Sequence, residues 1–455
     1  MAKYKAYPEY KDSGVEWLGD IPGHWKTISI SRLFSRIKRT GYTEKELLSV
    51  YRDYGVVPKS SRDDNNNKPS EDLSPYQLVQ PNDLVMNKMK AWQGSIAISE
   101  YEGIVSPAYF VYQPNNSLFE LAHPKYVHYL LRNPIYVTQY LSRSKGIRVN
   151  QWDLDPDEFR NIELLLPGKV EQVKIYSFLD HETAKIDNLI EKQQQLIELL
   201  KEKRQAGISH AVTKGLNTDV PMKDSGVEWL GEVPEHWKVK RIKHFGKVIG
   251  GFAFKSTDFT DEGYPVIKIS NVSHLNFDWG DSSFLPHNFS FMYKEYLAPN
   301  GALIFAMTRP VISGGIKVAL LDNNSAPLIN QRVGFMVVQN QDMAKYILIS
   351  TQSSAFLAHF VNNMTITNQP NISSEGIESI YLPLPPMNEI KGILHYVGRM
   401  QKSYNRLIDN VLLQVSLLQE RRTALISAAV TGKIDVRDWV TPNTQDVEEP
   451  QEATA

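Results

Sequence analysis

The stretch KDSGVEWLGEVPEHWK, Lys223–Lys238, has a near copy upstream as KDSGVEWLGDIPGHWK, Lys11–Lys26. Aligned without gaps, 13 of 16 positions are identical. The differences are Asp20/Glu232, Ile21/Val233 and Gly23/Glu235. A match of that length in a chain of ordinary composition marks an internal duplication, so the chain is read as two halves. A second repeated block agrees. ISHAVTKG (Ile208–Gly215) returns as ISAAVTGK (Ile426–Lys433), and LIEKQQQLIELLKEKR (Leu189–Arg204) lies over LIDNVLLQVSLLQERR (Leu407–Arg422). Each half therefore runs as opening motif, variable body, helical segment and ISxAVT ending. Similar frames around different bodies suggest one scaffolding job done twice and one reading job done in two ways.

At 455 residues the length fits about three domains. Apolar content of 42% and charged content of 22% are ordinary for a globular protein with ample core material. The chain has no cysteine, which removes disulfides and thiolate metal sites and fits a reducing, cytoplasmic setting. The first residues, MAKYKAYPEYKDSG, lack the apolar core of a signal peptide. No run of about 18 apolar residues predicts a membrane span. The net charge of −1 argues against a DNA binder held by bulk charge, so a nucleic-acid site must be local or shared with a basic partner.

Within the first half, residues 1–26 read as an irregular arm. Its tryptophans, Trp17 and Trp25, plug it into the body. DLVMNKMKAWQGSIAIS (Asp83–Ser99) reads as two short strands around a turn near Gln93 and Gly94. GIVSPAYFVY (Gly103–Tyr112) reads as one buried strand, and His123–Arg143 as a helical stretch interrupted at Pro134. Arg62–Ser70 reads as a polar loop. From Leu121 to Trp152 there is no acidic residue, while Lys125, Arg132, Arg143, Lys145 and Arg148 fall in that span. Such a surface neutralises phosphates and offers amides and aromatics to bases; a solvated basic helix is the plain alternative.

After Pro167 and Gly168 the reading is a short helix, Val170–Leu179, then a long one from Thr183 to about Thr213. Some 30 residues at 1.5 Å each reach roughly 45 Å. A stripe runs Leu189, Gln193, Leu196, Leu200, Lys203, Gly207. Its counterpart runs Leu407, Val411, Gln414, Leu418, Arg421, Leu425. Both alternate by four and three, the rhythm of packed long helices. The duplication favours the two copies packing on each other as an antiparallel pair.

In the second half, GKVIGGFAFKSTDF (Gly246–Phe259) is glycine-rich but lacks the Gly-Lys-Ser/Thr ending that a phosphate loop needs. GALIFAMTRPVISGGIKVALL (Gly301–Leu321) reads as strand, polar turn, strand, matching Asp83–Ser99. INQRVGFMVV (Ile329–Val338) reads as a strand. Asn368 and Gln369 fall on Asn150 and Gln151 of the first half. Both residue types bind adenine edges bidentately, and both are also common turn residues. Metal-ligand spacings, nucleophile elbows, Walker loops, dinucleotide fingerprints and the Asn/Asp-Pro-Pro-Tyr/Phe signature of amino-methyltransferases are missing. The chain does not read as a catalyst. A fused methyltransferase–nuclease and a plain coiled-coil adaptor fit less well, the first for want of motifs, the second because two large bodies exceed its needs.

The arms at Asp12–Trp25 and Asp224–Trp237, the Leu166–Asp180 segment and the Glu182–Gly215 helix resemble those of type I restriction-modification specificity subunits. DLVMNKMKAWQGS with GIVSPAYFVY resembles a target-recognition domain of that family. The resemblance covers residues 10–435. It implies an α+β chain with two α/β-type target-recognition domains in pseudo-twofold arrangement, joined by two long antiparallel helices. The expected divisions are 1–163 for the first recognition domain and arm, 164–216 for the first helical spacer, 217–381 for the second recognition domain, 382–435 for the second spacer, and 436–455 for a disordered acidic tail. The resemblance further implies a non-catalytic subunit that reads a bipartite, asymmetric site in double-stranded DNA. Two modification subunits would bring S-adenosylmethionine for adenine methylation. Restriction subunits with ATP and Mg would cleave unmodified DNA. This chain itself would bind no cofactor and no membrane. A solitary specificity subunit serving methylation alone is the alternative. Candidate DNA contacts in the first body are Lys88, Lys90, Trp92, Gln93, Arg143, Lys145, Arg148, Asn150 and Gln151. In the second they are Thr308, Arg309, Ser313, Lys317, Arg332, Asn368 and Gln369.

Overall fold

The computed structural model describes residues 4–440, except 53, 63–67, 149, 150, 324, 366 and 367; the side chains of 147, 148 and 151 also fall outside the description. The expected disordered tail, 436–455, is described as far as 440, and there it is packed rather than loose: Val436 is buried and Trp439 meets Phe178 edge-on. The rest of the tail and the centre of the expected Arg62–Ser70 loop lie outside the described residues. The chain divides into two units, Met1–Gln193 with Leu413–Ala455, and Gln194–Leu412. The cut passes through both long helices rather than at their ends, so each unit owns part of each helix.

The first unit opens with a small antiparallel pair, Tyr10–Asp12 with Asp20–Pro22, where an irregular arm was expected. The intervening turn is tied by Asp12 Oδ1 accepting from the Gly14 amide at 2.9 Å, with Gly14 left-handed at φ +71°. The body is entered and left through paired strands. Lys26–Ser29 runs antiparallel to Glu163–Leu166, so the ends of the variable region are hydrogen-bonded together. Between them a four-stranded antiparallel sheet has the order Phe34–Ile37, Tyr109–Pro114, Leu84–Asn87, Ile96–Ile98. The expected single strand at Gly103–Tyr112 is two, Gly103–Val105 and Tyr109–Pro114, since Pro107 breaks the ladder and the halves join different sheets.

The helices Pro124–Leu131 and Pro134–Ser142 follow, broken where Pro134 predicts. Asn133 caps the second by accepting from the Ile135 amide at 3.0 Å, and Pro134 occupies its first turn, where no donor is lost. Tyr126, fully buried, donates to the Leu165 carbonyl at 2.9 Å and lies 3.5 Å from that of Val430, joining body, strand and helix end.

The second unit repeats the plan. Its arm pairs Met222–Asp224 with Glu232–Pro234, and Lys238–Arg241 pairs with Tyr381–Leu384. Its sheet has the matching order Val248–Gly250, Val333–Met336, Leu303–Ala306, Val318–Leu320. Tyr346 takes the part of Tyr126, donating to Pro383 O at 2.9 Å and Val212 O at 3.0 Å. This body adds a three-stranded sheet in which Tyr264–Ile267 pairs parallel to Leu328–Ile329. The expected strand Ile329–Val338 is thereby divided at Asn330–Arg332, with Arg332 left-handed at φ +71°. The glycine-rich stretch serves close packing: a Cβ on Gly251 would lie 2.2 Å from the Asn330 carbonyl oxygen.

The long helices are Lys169–Thr213, 45 residues, and Met387–Val430, 44 residues. The first absorbs the expected short helix without a break, because nothing between Leu179 and Thr183 removes an amide or favours a turn. The seam keeps the four-three rhythm but is shifted. Leu200 and Gly207 of the first helix, and Val411, Leu418 and Leu425 of the second, face inward. Leu189, Leu196 and Leu407 do not, being 47%, 39% and 47% exposed. Their neighbours Ile190, Ile197 and Ile408 replace them. Each of these three leucines sits in a Leu-Ile doublet, so the pattern allowed both phases, and the structure turns the β-branched member inward. Lys203, Gln414 and Arg421 of the expected stripes are exposed as well.

Within the second unit, Ile197 and Leu200 pack on Ile408 and Val411. Further along, Arg204 Nη1 donates to Asn405 Oδ1 at 2.5 Å, and Gly207 lies against Met400. Rising numbers meet falling ones, so the segments are antiparallel. Within the first unit, Arg422 grips Asp187 with two bonds of 2.8 and 3.2 Å.

Two outcomes follow from this packing. Ile197→Ala should lower stability by about 2 kcal/mol while Leu196→Ala leaves it nearly unchanged, read as thermal unfolding midpoints; equal shifts would contradict the seam. Glu171 is buried and accepts from Tyr7 Oη at 2.6 Å and Trp25 Nε1 at 3.1 Å, with His24 Nε2 at 2.7 Å. Glu171→Ala should destabilise by about 3 kcal/mol, since it strands buried donors. Glu389→Ala, whose side chain is 36% exposed, should produce the smaller drop in midpoint.

Candidate nucleic-acid interface

In the first body, four candidates share one turn. Lys88, Lys90, Trp92 and Gln93 lie between the strands Leu84–Asn87 and Ile96–Ile98. A short 3-10 helix, Ala91–Gln93, ends at Gly94, whose φ of +91° suits glycine and turns the chain back. The Trp92 indole donates to the Met89 carbonyl at 3.0 Å, so the turn is braced from within.

Against this turn lies a hairpin, Ser144–Arg148 with Gln151–Leu154. The Leu154 amide donates to Lys88 O at 3.3 Å, and Lys88 Nζ is 3.6 Å from Asp153. Trp92 and Trp152 are in ring contact at 5.0 Å. The structure thus brings the turn candidates and the basic stretch to one place. Lys145 is exposed and opposite Asp153 across the ladder. Arg143 is half-buried, held by the Gln139 side chain and 4.0 Å from Glu158. Arg148 and Gln151 face each other in the backbone register, but their side chains, and all of Asn150, lie outside the described residues. Trp152 was missed from sequence; its signal was its place in the acid-free stretch beside Gln151.

The second body makes the equivalent junction. The Ile372 amide donates to Met307 O at 2.9 Å, as Leu154 does to Lys88 O. Thr308 bridges to Asn371, and the Arg309 amide donates to Pro370 O at 2.7 Å. The Met307 amide donates to Arg332 O at 2.8 Å. Thr308, Arg309 and Arg332 therefore gather around one strand end, against the Pro370–Ile372 segment that directly follows Asn368 and Gln369 in the chain. Arg309 and Arg332 are both exposed and both left-handed, at φ +45° and +71°. A non-glycine residue in that region is strained by about 1 kcal/mol, and such strain gathers at functional sites.

Two candidates stand apart. Ser313 is at the exposed tip of the hairpin Val311–Ile312 with Gly315–Ile316. Lys317 turns inward, donating from Nζ to the Ile269 carbonyl at 3.0 Å, and burial lowers its pKa. Among the described residues no group of three or more histidines and carboxylates could hold a metal ion. Among the same residues no helix is long and apolar enough to cross a membrane.

The bracing of the first turn is testable. Trp152→Ala should loosen the turn and speed proteolysis or amide exchange at 88–93, with the overall unfolding midpoint lowered by only about 1 kcal/mol equivalent. Unchanged exchange there would mean that the turn holds itself.

Comparison with known proteins adds four findings. Residues 234–420 match the type I restriction modification DNA specificity domain. The chain is 26% identical over 425 residues to the MjaVIII type I restriction enzyme specificity subunit of Methanocaldococcus jannaschii, covering 92% of this chain and 95% of that one. It is 22% identical over 454 residues to the EcoKI specificity subunit of Escherichia coli K12, covering 93% and 92%. A solved chain, from work on complex assembly and conformational transition of the type I R-M system, shares the fold with a TM-score of 0.65 at 14% identity, over 90% of this chain and 98% of that one.

Proposed function

We propose, from the premise that this chain belongs to the type I restriction-modification specificity subunits, that its two bodies read the two halves of a bipartite, asymmetric DNA sequence. The observation that carries this is the repeated junction. Leu154 N to Lys88 O and Ile372 N to Met307 O are the same bond in two bodies. Around it the side chains differ: Lys88, Lys90, Trp92 and Gln93 in one, Thr308, Arg309 and Arg332 in the other. Equal scaffolds with unequal polar sets suit two different half-sites.

In this reading the exposed lysines contact phosphate and set position, while Gln93, Arg309 and Arg332 face base edges in the major groove. The long helices fix the spacing and dock two modification subunits. Those subunits bring S-adenosylmethionine and methylate adenine at N6 in each half-site; restriction subunits, with ATP and Mg, cleave unmodified DNA. This chain supplies selection and no chemistry.

Mapping methylated adenines genome-wide, in cells carrying the chain with its modification subunit, tests the reading. Arg309→Ala should relax one base of one half-site, a discrimination of about 1–3 kcal/mol, and leave the other half-site intact. Relaxation in both halves together, or methylation that never depended on the chain, would defeat the assignment.

A further inference from the structure

The first unit holds a cleft of about 870 Å3 between its body and the helix segments. Gln93 and Gly94 of the candidate reading turn line it, so it adjoins the interface described above. Five cations line it, Arg52, Lys125, Arg132, Lys169 and Arg422, with the carboxylates Glu100 and Asp180. Arg422 is paired with Asp187, Lys169 donates to the Phe119 carbonyl at 2.6 Å, and Arg132 donates to the Arg52 carbonyl. Its histidines add no charge at neutral pH. Burial, helped by Arg132, pushes His128 down to about 3, and burial also lowers His123. Asp180 is occupied by the Tyr129 hydroxyl at 2.6 Å. Lys125 and Glu100 are 3.9 Å apart and both exposed, an ion pair too weak to hold the lysine.

The second unit treats the same place differently. Gln352 stands there where Arg132 stands in the first, and it ties body to helices. Its carbonyl accepts from the Gln205 amide group, and its side-chain oxygen from Gln401 Nε2 at 3.2 Å. The Ser354 amide donates to Ser209 Oγ at 3.2 Å. Met387 opens the second long helix where Lys169 opens the first. Lys345 and Arg204 of the second unit keep the positions of Lys125 and Arg422, so the difference lies at Arg132 and Lys169, which Gln352 and Met387 replace. One half is stitched there with neutral amides, and the other carries two further cations.

The frame is shared, so a ligand docking on the frame alone would meet the same surface twice. A feature peculiar to one half belongs with what that half alone binds. We propose that this cleft seats the sugar–phosphate backbone of the duplex beside the first half-site. It is a sequence-independent grip, placed where the second half has an internal seam. The proposal rests on the DNA-reading function above.

The test uses the full chain assembled with its modification subunit. Arg52→Ala combined with Lys125→Ala changes two exposed side chains and keeps the Arg52 carbonyl that Arg132 uses. Affinity for a duplex with the target and for a scrambled duplex is measured by fluorescence anisotropy across about 50–200 mM salt. Both affinities should fall by about tenfold at the lowest salt, and the slope of log K against log salt should drop by about 2. The methylated sequence should not change. A loss confined to the target duplex would make these residues base readers and overturn the proposal. Unchanged affinity for both duplexes would also overturn it, as would weakened co-purification of the modification subunit with DNA affinity intact. A wild-type complex unable to distinguish the two duplexes is a separate outcome, which defeats the DNA-reading function itself.

Discussion

A carboxylate in the first turn of each long helix holds arm, body and helix together. Glu171 receives the Trp25 indole and the Tyr7 hydroxyl, with His24 beside it; Glu389 receives Trp237 at 2.9 Å, with His236 at 2.7 Å. Burial, and then the Glu171 bond itself, keep the Tyr7 phenol protonated far above its ordinary range. A negative group in the first turn also meets the positive end of the helix dipole. The indole is anchored on its other side by glycine. Gly432, left-handed at φ +74°, leaves no room for a Cβ beside Pro22, and Gly215 packs against Trp237. The arm motif and the ISxAVT ending, at opposite ends of the chain in the first unit and close in sequence in the second, are therefore two halves of one contact.

That contact explains why the duplicated segments are these and not others. A variable body has to be attached so that its interior can change freely. Both bodies begin and end on paired strands, Lys26–Ser29 with Glu163–Leu166 and Lys238–Arg241 with Tyr381–Leu384. Backbone bonds close the loop, and the tyrosines Tyr126 and Tyr346 lock it to a helix end through main-chain carbonyls. Main-chain partners place few demands on side chains, so the sheet and loops beyond the clamp can diverge. The second body uses that freedom for an additional sheet containing a parallel pair, and the first for the hairpin carrying Trp152.

The sequence displayed the frame clearly and the site partly. Repetition exposed the arms, the bodies and the helices, because the same residues appear twice under the same physical demands. The helix phase escaped, since Leu189-Ile190, Leu196-Ile197 and Leu407-Ile408 satisfy either register and only tertiary packing chooses. The strand break at Pro107 was visible in principle, but the apolar run around it masked the change of sheet. For the interface, the turn at Lys88–Gln93 and the acid-free stretch were legible separately. Their meeting through Leu154 and Trp152 was not, for it depends on long-range pairing. Lys317 shows the converse: its spacing matched the turn, yet its amine is spent on the Ile269 carbonyl.

A net charge of −1 is consistent with this arrangement, given how the cations are held. Lys88 lies 3.6 Å from Asp153, Lys125 3.9 Å from Glu100, and Arg143 4.0 Å from Glu158. All three carboxylates are more than half exposed. Such pairs contribute well under 1 kcal/mol each and are screened by salt. Under the proposed DNA-reading function, a phosphate arriving in good geometry would displace the carboxylate with little loss, whereas DNA at a distance would meet a surface whose charges nearly cancel. Long-range attraction to any sequence would thereby stay low, and the favourable contacts would form only when a duplex is close enough for the proposed base-facing groups to register. For the proposed role of selecting one sequence among many, near-neutrality with exchangeable local pairs would serve better than a strongly basic surface.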